Sequence, residues 1–198
     1  MKIAFDLDET LVYGDIIAEA GRQLGIQCSN KNVTTFDLSG IPKPIKQRAI
    51  ELFSSVEYAV YKKKFFPGIF YFLDWCSPYH EIHIITSRPA ILRHPTINMF
   101  RREGLNLSNI DFHFPNSSKE MKVGDDRPSK LDVFNQLSLD MYFDDSIEYC
   151  KEAITAGIEQ VFLISNKNTT WNHKKCDQRI RRIKSVVDIE PWEFNNGI

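Results

Sequence analysis

The sequence predicts an α/β fold: a mostly parallel central sheet between two layers of helices, with a small α-helical cap inserted after the first strand. Three observations carry this. Short apolar strand-like runs alternate with helical ones from residue 81 to residue 164. That rhythm builds parallel sheets covered on both faces, joined by right-handed crossovers. A further strand-like run opens the chain at 2–7, whereas the stretch that follows it shows only helical periodicity. The division expected is therefore a core of residues 1–13 and 66–198 and a cap of residues 14–65.

Residues 2–7 (Lys-Ile-Ala-Phe-Asp-Leu) read as a short buried strand. In 14–25, Ile16, Ile17, Ala20 and Leu24 recur at helical spacing, and Gly25 closes the segment. Residues 28–44 are polar and broken by Gly40, Pro42 and Pro44, which predicts a loop. Over 45–61, Ile45, Ala49, Leu52, Phe53, Val56 and Val60 form one stripe and predict a single helix. Pro67-Gly68 punctuates the chain before a helix at 69–76. Strands follow at 81–86, 110–114, 140–143 and 160–164, with helices at 91–103, 129–137 and 146–156 between them. Gly104 and Gly157 end two of those helices. There is no internal repeat and no low-complexity stretch.

A length of 198 residues is enough for one hydrophobic core with a small insertion. The composition, 42% hydrophobic and 26% charged, is that of a soluble globular protein. A net charge of −1 provides no overall field to draw the chain to nucleic acid or to a membrane. No apolar run approaches the roughly 20 residues needed to span a bilayer. The first residues lack the pattern of a secretion signal, and Cys28, Cys76, Cys150 and Cys176 form no CxxC pair. Reduced thiols and a cytoplasmic location are expected.

In open parallel sheets, ligands bind beyond the carboxyl ends of the strands. The first strand ends in Asp6-Leu7-Asp8, where alternation sends both carboxylates to one side. The strand at 81–86 leads into Thr86-Ser87-Arg88, Lys130 opens a helix, and the strand at 140–143 leads into Asp144-Asp145. Each piece alone has an ordinary reading as a turn, a helix cap or a surface lysine. Together they suit phosphoryl transfer to a carboxylate nucleophile. In that scheme Asp6 attacks phosphorus, while Asp8 protonates the leaving oxygen and then activates water. Asp6, Asp8, Asp144 and Asp145 surround a hard cation, Mg²⁺. Thr86, Ser87, Arg88 and Lys130 bind the substrate's phosphate, and Lys130 also offsets the crowded carboxylates. A second acidic pair, Asp125-Asp126 after Val123-Gly124, is set aside because it lacks a strand before it and precedes Lys130.

Asp6-Leu7-Asp8-Glu9-Thr10, Ile84-Ile85-Thr86, Lys130 and Asp144-Asp145 resemble the four motifs of the haloacid dehalogenase-like (HAD) phosphatase superfamily. The resemblance spans residues 3 to about 172. It implies a HAD-like Rossmannoid three-layer sandwich, an aspartyl-phosphate intermediate, Mg²⁺, and a cap closing over a small substrate. Ile84 to Pro89 (Ile-Ile-Thr-Ser-Arg-Pro), Phe143-Asp144-Asp145-Ser146 with Ala156-Gly157-Ile158, and Trp171-Asn172 in the 168–172 stretch are similar to the 5′(3′)-deoxyribonucleotidase family. That likeness implies a (deoxy)nucleoside monophosphate as substrate, with Phe36, Phe53 or Tyr61 as stacking partners for a base.

Glu9-Thr10 and Phe66-Pro67-Gly68 are instead similar to protein phosphatases acting on the tail of RNA polymerase, although those usually carry asparagine where Asp145 stands. The Thr-Ser-Arg-Pro type of strand end also resembles polynucleotide 3′-phosphatases. For such an enzyme Lys174, Lys175, Arg179, Arg181, Arg182 and Lys184 would grip a nucleic-acid backbone. The ordinary reading of that run is a solvated helix face. The expected partner is a small phosphorylated molecule, a nucleotide first, with no membrane; an inactive scaffold is disfavoured because every motif residue is present.

Overall fold

The computed structural model describes residues 1–29, 40–116, 127–166, 169, 172 and 175–189. In chain order the elements are β1 (Lys2–Phe5), β2 (Val12–Tyr13), α1 (Ile16–Gln23), α2 (Lys43–Phe53), a π-helical turn (Glu57–Lys62), β3 (Lys64–Phe65) and α3 (Ile69–Cys76). There follow β4 (Glu81–Ile85), α4 (Arg93–Arg102), β5 (Ile110–His113), α5 (Lys130–Leu137), β6 (Met141–Asp144), α6 (Ile147–Thr155), β7 (Gln160–Ile164) and β8 (Ile180–Ile183). Six strands form one sheet in the order β5-β4-β1-β6-β7-β8, and every pairing is parallel.

Alternation along the strands supplies two cores. On one face Ile3, Phe5, Ile82, Ile84, Phe143 and Phe162 pack against Phe72 and Leu73 of α3 and Met99 and Phe100 of α4. The rings of Phe5, Phe143 and Phe162 stack in a row across the sheet, with centroids 4.8 and 4.7 Å apart. On the other face Ala4, Ile85, Tyr142, Val161 and Leu163 meet Val133 and Phe134 of α5 and Cys150 and Ala153 of α6. This is the layered α/β sandwich expected from the sequence. A third, separate cluster gathers Ile17, Ala20, Ile41, Ile45, Ala49, Leu52 and Tyr58. The chain enters and leaves that region through β2 and β3, which pair antiparallel.

Three expectations change. The stripe at 45–61 is not one helix: α2 stops at Phe53, Ser54 caps it, and a π-helical turn follows. The break rotates the stripe, exposing Val56 and burying Tyr58, Ala59 and Val60. The basic run near the C-terminal end is not a helix where it is described. Its centre, Ile180–Ile183, is the edge strand β8, with Arg181 and Arg182 exposed. Charge on an edge strand resists pairing with another chain, so the residues that mimic a solvated helix face serve a sheet edge instead. The β2–β3 pair was not anticipated, because two-residue strands carry no readable period. No described helix is long and apolar enough to cross a membrane, and all four cysteines are free thiols.

Candidate active site

The loop after β1 is drawn tight. Asp6 N–H donates to the Phe143 carbonyl at 2.8 Å, which extends the β1–β6 ladder by one residue. The amides of Leu11 and Val12 both donate to the Leu7 carbonyl, at 2.9 and 3.0 Å. Glu9 takes a left-handed backbone at φ 62° to make the turn. Asp6 and Asp8 thus leave the strand from a rigid bend and point to different surroundings.

Asp6 joins Asp144 and Asp145. All three are buried, and one carboxylate oxygen from each lies within 4.8 Å of the others. Lys130 Nζ donates to Asp6 Oδ1 at 2.7 Å, Asp144 Oδ2 at 2.9 Å and the Tyr142 hydroxyl at 3.1 Å. The lysine stands at the first position of α5, where Ser129 and Asp132 form a reciprocal capping box. Its ammonium also lies 4.1 Å from the centre of the Tyr149 ring. Asp144 is fixed from two directions: Ser146 N–H donates to Oδ1 at 2.7 Å, and the Tyr142 hydroxyl donates to Oδ2. Asn172 Nδ2 donates to the carbonyls of Asp145 and Ile164, tying the loop after β6 to the end of β7.

The electrostatics follow from this crowding. Burial pushes the Asp6 carboxyl up to about 8 against the pull of Lys130, and the charge of Asp144 adds to the rise. Burial, then Asp144 and Asp6, raise Asp145 well above the usual carboxylate range. Lys130 is held above its ordinary value by Asp144 and Asp6, although burial opposes it. The raised carboxyls record negative charge beyond what one ammonium offsets. A set of buried, converging oxygens of this kind suits a hard divalent cation.

The Asp8 carboxylate is not in that group of three and is held by cations instead. Arg88 Nε and Nη2 donate to its two oxygens at 2.7 and 2.9 Å, and Lys63 Nζ approaches Oδ1 at 3.4 Å. Burial alone would raise this carboxyl, but Arg88 and then Lys63 hold it down at about 2. Arg88 is engaged within the protein by the same geometry. It is fully buried, and its third nitrogen, Nη1, donates to Thr96 Oγ1 at 3.1 Å. A fork engaged on Asp8 and Thr96 clamps the loop after β1 to the end of β4. Thr86, at the end of β4, is buried; its amide donates to the His113 carbonyl at 3.0 Å and its hydroxyl accepts from Arg88 N–H at 3.3 Å. Ser87 Oγ lies 3.3 Å from the Tyr149 hydroxyl.

Sequence reasoning missed Lys63. Its side chain is 4% exposed, and Nζ donates to Glu9 Oε1 at 2.9 Å. Gly14 N–H donates to the same oxygen at 3.3 Å, so Glu9 holds both ends of the segment between β2 and β3. Within Lys62-Lys63-Lys64 nothing marks the middle residue, and a charge run reads as solvated. Tyr142 was missed too, though its signal exists: it lies two residues before Asp144 on one strand, hence on the same face.

Of the aromatic residues considered for stacking, Phe53 is half-buried, and Tyr61 is exposed with the Arg102 guanidinium 4.9 Å from its ring centre. A cleft of about 450 Å³ beside Tyr61, lined also by Phe65, Phe70 and Met99, includes none of Asp6, Asp8, Asp144 and Asp145. Phe36, Asn168, Trp171, Lys174 and the Asp125-Asp126 pair lie outside the described residues.

No family model matches the chain, and no curated protein matches it. Solved structures do. A haloacid dehalogenase-like family hydrolase from Streptococcus pneumoniae is similar over 91% of this chain and 92% of its own, with TM-score 0.55 and 19% identity. A provisionally assigned HAD-hydrolase from Bacillus subtilis, bound to magnesium, covers 98% of both chains with TM-score 0.58 and 14% identity. The chain has the haloacid dehalogenase-like fold. A provisionally assigned phosphoglycolate phosphatase from Lactobacillus plantarum shares this fold, with TM-score 0.55, 14% identity, and coverage of 94% and 96%. On the haloacid dehalogenase-like sheet of this chain, Asp6, Thr86 and the Asp144-Asp145 pair all follow the carboxyl ends of neighbouring strands.

Proposed function

We propose that the chain is a Mg²⁺-dependent phosphomonoesterase that forms an aspartyl-phosphate on Asp6. The observation that carries this reading is the buried convergence of Asp6, Asp144 and Asp145 around the reach of Lys130. Mg²⁺, when bound by those carboxylates, polarises a phosphoryl oxygen and offsets the charge of the substrate.

Lys130 engages Oδ1 of Asp6, which leaves Oδ2 to attack phosphorus. Thr86 and Ser87 hold phosphate oxygens at the end of β4. Asp8, kept ionised by Arg88 and Lys63, is prepared as the base toward water in the second step. In the first step the leaving oxygen takes its proton from solvent water, and the proton that Asp8 takes from the attacking water in the second step returns to solvent, so the cycle balances. Residues 14–65 act as the cap over this site, hung from the β2–β3 pair.

The substrate class proposed is the (deoxy)nucleoside monophosphates, supported by the likeness of 84–89 and 143–146 to nucleotidases. The polynucleotide reading is weakened by the basic run itself. Arg179 is paired with Asp177 at 2.7 Å, and Arg182 donates to the Asn172 carbonyl. Free thiols suit a reducing compartment, the cytoplasm.

The test is hydrolysis of p-nitrophenyl phosphate with Mg²⁺ and with EDTA, followed by nucleoside 5′- and 3′-monophosphates, a sugar phosphate, a phosphopeptide and a 3′-phosphorylated oligonucleotide. Mg²⁺-dependent turnover, fastest on the mononucleotides, is expected. Turnover indifferent to EDTA removes the metal from the scheme, and preference for the peptide or oligonucleotide replaces the substrate class.

A further inference from the structure

Glu81 and His83 on β4 and Asp111 and His113 on β5 form a second polar cluster, on the edge pair of strands beside β1. Alternation puts all four on one face of neighbouring strands, with His83 directly opposite Asp111 in the register. One donor atom each from Glu81, His83 and Asp111 lies within 4.8 Å of the others. Glu81 and Asp111 are exposed, whereas the His83 side chain is 1% exposed.

The second observation is the state of His83. Its Nδ1 sits 3.1 Å from His113 Nε2, a contact in which one ring donates and the other accepts. Its Nε2 is buried without a hydrogen-bond partner. Glu81 Oε1 stands 3.2 Å from that nitrogen, close enough for the two to share one cation. A buried polar atom in that condition is costly, and calls for an explanation. A cation supplies one. Ligands about 2.0–2.2 Å from a tetrahedral Zn²⁺ stand about 3.3 Å from one another, which is close to the His83–Glu81 separation.

We propose that Glu81, His83 and Asp111 bind a borderline divalent cation, Zn²⁺ in preference to Mg²⁺. The mixed nitrogen and oxygen set selects it, because Mg²⁺ takes oxygen almost alone. His83 ligates through Nε2. Its Nδ1–H then donates to His113 Nε2, so His113 fixes the tautomer and orientation of the ligand as an outer partner. Solvent reaches the fourth position between the two exposed carboxylates. The other charges that bear on the site are Lys2, whose Nζ lies 3.9 Å from Glu81 Oε1, and Arg93, which acts on His113. An ion here pins the edge strand β5 to β4 and uses none of Asp6, Lys130, Asp144 and Asp145.

The experiment is competition for Zn²⁺ against a chromophoric chelator, using the full chain with excess Mg²⁺ and an Asp6→Asn background to silence the first centre. One equivalent of Zn²⁺ is expected to bind. Outer partners alone are worth about 10–100-fold in affinity, so Glu81→Gln and Asp111→Asn should each weaken binding at least about tenfold. Both residues are exposed, so these variants keep the fold even where His83→Gln does not. In the wild-type background they leave Mg²⁺-dependent turnover unchanged. Co²⁺ in place of Zn²⁺ should give visible ligand-field bands without thiolate charge transfer. Binding that survives both carboxylate variants, or a thiolate band, overturns the proposal.

Discussion

Asp6 and Asp8 are two residues apart on one loop, the first buried and the second half-buried, and they end in opposite electrostatic states. Burial lifts the Asp6 carboxyl to about 8, because Lys130 is shared with Asp144 and cannot offset both. Asp8, also desolvated, is held at about 2 by Arg88 and Lys63 together. Burial alone therefore decides nothing about a carboxylate. The ratio of nearby cations to anions decides it, and here that ratio separates the proposed metal centre from a side chain that stays ionised beside two cations.

The largest effect expected from breaking this contrast is at the nucleophile. Asp6→Asn should cut Mg²⁺-dependent turnover by at least about 10⁴-fold while the circular dichroism spectrum stays native. Near-normal rates would move the nucleophile elsewhere. Next is Lys130→Met, expected to lower kcat by about 10²–10³-fold, with KM changing less. A change in KM alone would make the lysine a binding group. Arg88→Met leaves a buried carboxylate with one of its two cations gone, and should cost about 3–5 kcal/mol of stability in a urea titration. A loss near zero would show that Lys63 suffices for Asp8. Lys63→Met should cost less, because Arg88 keeps its bidentate hold on Asp8.

The smallest and most diagnostic effect is the pH dependence of stability in EDTA. The folded pKa of Asp6 lies above its ordinary 3.8, so the folded state binds the extra proton. Its contribution is complete below pH 3.8 and is lost as the pH rises through about 8. For Asp8 the sign is reversed: its contribution is complete above 3.8 and is lost as the pH falls through about 2. Melting temperatures should thus drop on both limbs, and Mg²⁺ should restore the alkaline limb alone. Restoration of the acid limb by Mg²⁺ would return Asp8 to the metal.

The places of Asp6, Thr86, Asp144 and Asp145 at strand ends, and of Lys130 at a helix start, were legible in the chain because such positions are set by local periodicity and order. Val56 misled because a π-helical turn shifts the helical phase, and that shift is imposed by the packing of Tyr58 and Val60. The basic residues around Ile180 misled because exposure is shared by helix faces and edge strands alike. Glu81, His83, Asp111 and His113 drew no notice, since 28 residues of chain separate His83 from Asp111 and only the β4–β5 register joins them.

Period-2 and helical patterns by themselves determined the layers, the strand ends and the acids that gather there, because those depend on each residue's near neighbours. Partner choice was decided in three dimensions. Which cation meets Asp8, and whether Arg88 faces substrate or protein, depends on contacts spanning 55 and 80 residues of chain. Such contacts form only when the loop after β1, the end of β4 and the segment before β3 fold into one buried corner.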